Sequence, residues 1–184
     1  QGYSSAASDV YKRQVPDMIT MGKPMGNGIP ISGLAAKEDV LAAFSDKLPY
    51  FNTFGGNPVS IAAAQAVLKY IKDENLQEHC KKAGGALLKA LKEVQKRHPE
   101  SVGDVRGAGL FLGFEFVKND GNKTPDKDMA LNVIEMLRDE HILTSVIGHY
   151  GNILKLRPPM VFSENDIDWF ATSLDKCITK LENK

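Results

Sequence analysis

The sequence predicts a mixed α/β chain built in two parts, and three observations carry that prediction. Residues 15–35 alternate short apolar runs with Gly and Pro, the pattern of two short strands around a glycine loop. Apolar residues at 76, 80, 83, 87, 91 and 94 recur every three or four positions, as on a helix with one buried face. Leu110, Leu112, Phe114 and Phe116 then alternate, as on a strand with one buried face. Residues after 100 therefore read as a small α+β domain, and residues 15–60 as a piece of a different unit.

The elements follow in order. "KEDVLAAF" supplies one or two helical turns, and "PYFNTFGGNP" is a loop. Asn57 is placed to cap a helix that Pro58 begins, since proline lacks only an N–H that the first turn leaves unpaired. That helix, "PVSIAAAQAVLKYIKDE", is expected to bury Ile61, Ala64, Val67, Leu68 and Ile71. A second helix spans about Asn75 to Lys96, its outer lysines 81, 82, 89, 92 and 96 forming a solvated face. "NDGNKTPDKD" is a polar turn, "MALNVIEMLRDE" an amphipathic helix, and "ILTSV" and "NILKLR" are candidate strands. Ser163 and Asp166 resemble a capping box, with Asp where Glu or Gln is usual. They open a last helix with Ile167, Phe170, Ala171, Leu174, Ile178 and Leu181 on one face.

Composition excludes several functions. The 184 residues carry 23 basic and 23 acidic side chains, so no global charge favours nucleic acid or an anionic membrane. No apolar run approaches the ~20 residues of a membrane span, and the start lacks the order of a secretory signal. Cys80 and Cys177 lie far apart on predicted helices, as in a reduced, cytoplasmic protein. The four histidines are scattered without zinc-ligand spacing, so no metal is expected.

Lys23 is the residue that invites chemistry. It stands in "TMGKPMGNG", after an apolar strand and among glycines 22, 26 and 28. Such neighbours solvate an ammonium group poorly, and a partly desolvated lysine is a nucleophilic amine suited to Schiff-base formation. The plain alternative is a surface lysine in a β-turn. Pro24 after the lysine excludes a phosphate-binding P-loop. Arg106 is expected to pair with Asp104 across a turn. Lys155 and Arg157, two apart on a candidate strand, project to one face and form a cationic site for a carboxylate or phosphate. Their alternative is a pair of edge-strand charges in water, because Pro158 and Pro159 cannot donate to a ladder.

Four segments together are specific. "PDMITMGKPMGNGIP" resembles the lysine segment of class III (ornithine-type) aminotransferases, pyridoxal-phosphate enzymes of fold type I. "YFNTFGGNPVSIAAAQAVL" is similar to that family's phosphate-contact loop and following helix, "VGDVRGAGLFLGFEF" to the start of its small domain, and "NILKLRPPMVFS" to a late strand. They occur in family order, and the likeness is strongest to the branch of alanine–glyoxylate aminotransferase-like proteins and ethanolamine-phosphate phospho-lyases. The resemblance implies an α/β, fold type I transferase, truncated to the end of the large domain plus an α+β small domain. It implies pyridoxal 5′-phosphate as cofactor, held by Lys23 as a Schiff base, with the same amine moving the substrate Cα proton. It implies that Thr53 bonds the cofactor phosphate of a neighbouring subunit in a homodimer; read without the family, Thr53 is a turn hydroxyl capping its own backbone. Many members carry Arg-x-x-Pro-Pro in the late strand. Here Lys155 takes the arginine's place and Arg157 precedes the prolines, an arrangement seen on the phospho-lyase side as well as in aminotransferases.

Three functions follow. The first is transfer of an amino group from an amino acid or amine to an oxo acid. The second is elimination of phosphate from an amino-alcohol phosphate. The third is a fragment with no catalysis of its own. The domain reading is a non-native leader over 1–14, the end of a cofactor-binding large domain over 15–72, a connecting helix over 73–99 and a small domain over 100–184. "DVYKRQ" at the end of the leader can be encoded by GATGTGTATAAGAGACAG, which resembles a transposon mosaic end used as a sequencing adapter. The family's ring-pairing aspartate, stacking aromatic and Gly-Ser-type phosphate loop are expected upstream of Val15, so the chain alone is expected to be inactive and to expose apolar surface.

Overall fold

Two structural units divide the chain between Glu74 and Asn75 in a computed structural model that describes residues 15–183. The proposed leader lies outside the described residues.

The first unit is a ribbon, a turn and two helices. Strands β1 (Met18–Met21) and β2 (Gly33–Ala36) pair antiparallel, Met18 opposite Ala36 and Met21 opposite Gly33. A 3₁₀ turn over Lys23–Gly26 lies between them. It closes through Asn27 and Gly28 at φ 47° and 107°, and the second value is one that side chains rarely allow. Helix α1 (Glu38–Ser45) is tied to the ribbon where the Lys37 N–H donates to the Asp17 carbonyl at 2.9 Å and its ammonium to the Asp17 carboxylate at 2.5 Å. Helix α2 (Pro58–Asp73) starts as the sequence predicts: the Asn57 side chain accepts from the N–H groups of Val59 and Ser60 at 3.0 and 3.2 Å.

The apolar face of α2 corrects the expectation. No residue of this helix is buried; Ile61 and Leu68 are exposed, and Ala64, Val67 and Ile71 only half-buried. The helix packs mainly against the Lys23 turn, and a two-stranded ribbon offers too little surface to cover it.

The second unit contains a core. Helix α3 (Leu76–Arg97) leads into β3 (Val102–Ala108) and β4 (Phe111–Phe116), then α4 (Lys127–Asp139), β5 (Ser145–Ile147), β6 (Ile153–Leu156) and α5 (Glu164–Glu182). The sheet is antiparallel in the order β3-β4-β6-β5. Leu112, Phe114, Phe116, Leu154 and Leu156 point from its central strands into a cluster with Leu87, Leu91, Val94, Val133, Leu137, Leu174 and Ile178. Each predicted helix face is present, and the five outer lysines of α3 are exposed. Helix α3, read from sequence as a connector, packs against β3 and α5 within this unit.

Strand β3 was hidden in the sequence because its apolar residues, Val102 and Val105, are three apart. A register shift between Val102 and Asp104 brings both to the buried face, as a bulge does. Gly84, inside α3, lets the β3–β4 hairpin press onto the helix: a Cβ there would stand 2.1 Å from the Gly109 carbonyl oxygen. The helix ends are fixed by side chains. Asp126 accepts from the Met129 N–H at 2.9 Å, and Ser163 with Asp166 completes the capping box. At the other end, buried His98 lies 2.7 Å from Glu182 and 3.1 Å from Asp175, joining α3 to α5. Both cysteines are free, and burial pushes both thiols up.

Candidate functional site

Lys23 follows extended Gly22 and opens the 3₁₀ turn with φ 51°, a left-handed value rare for a side-chain-bearing residue. Such a conformation costs roughly 1–3 kcal/mol, and outliers of this kind concentrate at functional sites. Gly26 lies buried beneath the turn, where a Cβ would meet Ile31 at 2.9 Å. The sequence suggested a partly desolvated amine, and here the structure differs. Lys23 is exposed in this chain and makes no ion pair among the described residues.

Thr53 lies in the loop before α2, the helix that packs on the Lys23 turn. The loop's amides are partitioned. Asn52 accepts from the N–H groups of Phe54 and Gly55 at 3.1 and 3.0 Å, and Asn57 takes the first amides of α2. The turn-capping work that Thr53 would otherwise do therefore belongs to the two asparagines. Among the described residues the Thr53 hydroxyl and the Gly56 N–H make no hydrogen bond, leaving both exposed as donors. A hydroxyl and a backbone N–H are the donor set that a phosphate takes.

Lys155 and Arg157 lie in the second unit. Strand β6 runs between β4 and β5, with Lys155 opposite both Gly113 and Ser145, so Lys155 is not on an edge strand; Arg157, expected on the same strand, lies just past its end at Leu156 and is exposed. Pro158 and Pro159 fall just past the strand, where no ladder bond is lost. Both cations line one open cleft of about 550 Å³ at the end of β6, with Thr144, Phe162, Trp169 and Phe170. The Arg157 guanidinium stands 5.5 Å over the Phe111 ring, a cation–π contact. Thr144 donates its hydroxyl to the Lys155 carbonyl at 3.1 Å. Trp169 and Thr144 were not singled out from sequence: one faces outward beside buried Phe170, and the other lies in the expected strand "ILTSV", just before the observed β5.

Arg106 corrects a detail. It pairs with Asp104 at 2.6 Å along one strand, not across a turn, and with Glu115 of β4 at 2.5 Å. Glu115 and then Asp104 hold the guanidinium's pKa above its ordinary value. This cation is spent on structure. Among the described residues no helix is long and apolar enough to cross a membrane.

The chain is 46% identical over 166 residues to ethanolamine-phosphate phospho-lyase homolog 1 of Caenorhabditis elegans, covering 90% of this chain and 35% of that protein. It is 40% identical to an alanine–glyoxylate aminotransferase 2-like protein of Drosophila melanogaster, over 90% of this chain and 34% of that one. Among solved structures, a phospholyase from Arthrobacter in complex with phosphoethanolamine superposes with a TM-score of 0.87 at 37% identity, over 92% of this chain and 40% of that chain. The chain thus spans about a third of the length of these curated relatives. The model of the class-III aminotransferase family matches residues 6–178, beginning inside the segment read as a leader. With that match covering nearly the whole chain, and with the fold of solved transaminases and a phospholyase, the protein belongs to the class-III aminotransferase family.

Proposed function

We propose that the full-length protein is a pyridoxal-phosphate-dependent aminotransferase and that Lys23 is the residue that holds the cofactor. The observation that carries this reading is an exposed, unpaired amine held in a left-handed turn between a strand and a glycine loop. Bound pyridoxal phosphate supplies an aldehyde for covalent attachment and a ring that withdraws electrons from the substrate Cα. Lys23 would hold the cofactor through its amine, and the same amine would move the substrate Cα proton as base and acid. The Thr53 hydroxyl and Gly56 N–H bind the phosphate, in a homodimer that of a neighbouring subunit. Lys155 and Arg157 bind the anionic group of the substrate. An amino acid or amine gives up its amino group to an oxo acid, in the cytoplasm, where free thiols persist.

A second reading has its own support: two cations without carboxylate partners among the described residues suit a phosphate, and the Arthrobacter relative was solved in complex with phosphoethanolamine. In that reading the same lysine serves the elimination of phosphate from an amino-alcohol phosphate. The test uses the full-length enzyme reconstituted with pyridoxal phosphate. Its visible absorbance band is lost in Lys23→Ala, and persistence of the band overturns the lysine assignment. Phosphate release without an amino acceptor selects the second reaction; amino transfer without phosphate release selects the first.

A further inference from the structure

We propose that His98, Asp175 and Glu182 form a proton-operated clasp, which holds the C-terminal turns of α5 to the junction of α3 and β3 more tightly in mildly acidic than in alkaline solution.

Geometry sets the proton count. His98 is 5% exposed and stands where α3 ends. Its Nδ1 lies 2.7 Å from the Glu182 carboxylate, and its Nε2 lies 3.1 Å from the Asp175 carboxylate. A neutral imidazole has a single N–H, so it donates to one of these oxygens and turns a lone pair toward the other. The protonated ring donates to both. Taking up the second proton therefore adds a charge-assisted hydrogen bond that exists only in the folded chain.

The surrounding groups match this count. From α3, the Arg97 guanidinium donates to the same Asp175 oxygen at 2.7 Å. From the turn before β3, the Ser101 hydroxyl donates to Glu182 at 2.6 Å. The two carboxylates come from α5. With the ring protonated, two cations face two anions; with the ring neutral, one cation faces two anions. Both carboxylates are partly buried, so salt screens them less than it screens open surface charges. An imidazole in water takes its second proton near pH ~6.5, and carboxylates stay ionised down to about pH 4. Since the protonated ring gains a partner on folding, the clasp contributes most between those limits and weakens as pH rises above the upper one.

The test follows thermal unfolding of the 184-residue chain from about pH 5.5 to about pH 8.5. Wild type is compared with His98→Asn, Glu182→Gln, Asp175→Asn and, as a control, His149→Asn, whose ring is exposed. At the acid end wild type is expected to melt roughly 4–8 °C above His98→Asn, the scale of one charge-assisted hydrogen bond in a domain of about a hundred residues, and to lose at least about half of that margin at the alkaline end. Glu182→Gln and Asp175→Asn keep the ring and remove one acceptor charge each. Both melt below wild type in acid, and both show a flatter dependence on pH. His149→Asn tracks wild type throughout. If His98→Asn does not fold, the two carboxylate variants carry the same comparison. Nitrogen-15 spectra of the His98 ring count its protons without unfolding: two at the acid end, one at the alkaline end. A margin that is constant across the range, one that widens toward alkaline pH, or a ring whose proton count does not change overturns the proposal.

Discussion

The unit ending at Glu74 carries Lys23 and Thr53 but buries only Gly26 among its described residues, whereas the unit from Asn75 holds every buried apolar side chain described. Side chains such as Phe51 and Phe54 stand 86% and 83% exposed in the first, while Phe114 and Phe116 are fully buried in the second. The contrast is physical. A two-stranded ribbon with two helices has no second layer to close a core, whereas a four-stranded sheet with helices α3, α4 and α5 does. Within this chain, which spans about a third of its curated relatives, the candidate cofactor residues lie in the unit with few buried side chains, and Lys155 and Arg157 lie in the unit with the core.

The largest test of this contrast is a pair of phenylalanines. Phe114→Ala should lower stability by about 3–5 kcal/mol in denaturant unfolding, and Phe54→Ala by under ~0.5 kcal/mol. Equal losses would break the comparison. A pair of adjacent glycines sharpens it further. Gly84→Ala drives a Cβ into the Gly109 backbone and should cost about 1–3 kcal/mol, while Gly85→Ala, which meets nothing within 4 Å, should be neutral or stabilise by up to ~1 kcal/mol. If both glycines tolerate alanine alike, the hairpin does not rest on α3 as described.

Caps give smaller effects in both units. Ser163→Ala should cost about 1 kcal/mol of global stability. Asn57→Ala should instead speed amide exchange at the start of α2 and leave the main unfolding transition unchanged, since that transition belongs to the other unit. A shift of the main transition by Asn57→Ala would show that the two units unfold together.

The smallest effect depends on pH. The Ser163 hydroxyl, then its backbone N–H, holds the Asp166 carboxyl below the usual carboxylate range. A depressed folded-state value contributes stability above the unfolded value, ~3.9 for aspartate, and loses it as pH falls through the folded one. Wild type should therefore melt slightly above Asp166→Asn at neutral pH, with the gap closing in acid below that range. A gap that stays constant down to acid pH would remove the carboxylate from the capping box.

Much of this was legible in advance where local chemistry is decisive. Asn57 with Pro58, and Ser163 with Asp166, declare helix starts because the partners they need lie within three residues. Leu112, Phe114 and Phe116 declare a strand because alternation maps directly onto one face. Strand β3 was not legible: a bulge breaks its alternation, and only pairing with β4 reveals it. The expected burial of Ile61 and Leu68 failed for the complementary reason. An apolar stripe states which face seeks cover, and not whether cover exists.

The sequence by itself determined most element types, the caps at Asn57 and Ser163, the family and the candidate residues Lys23, Thr53, Lys155 and Arg157, since each depends on residue identity and short-range spacing. Tertiary structure alone decided that Lys23 is exposed in a left-handed turn, that β6 lies inside the sheet, that Arg106 is spent on Glu115, and that Lys155 and Arg157 share a cleft with Trp169. These depend on which strands pair and which surfaces find a partner. Pairing and burial join residues distant in the chain, and no local pattern encodes them.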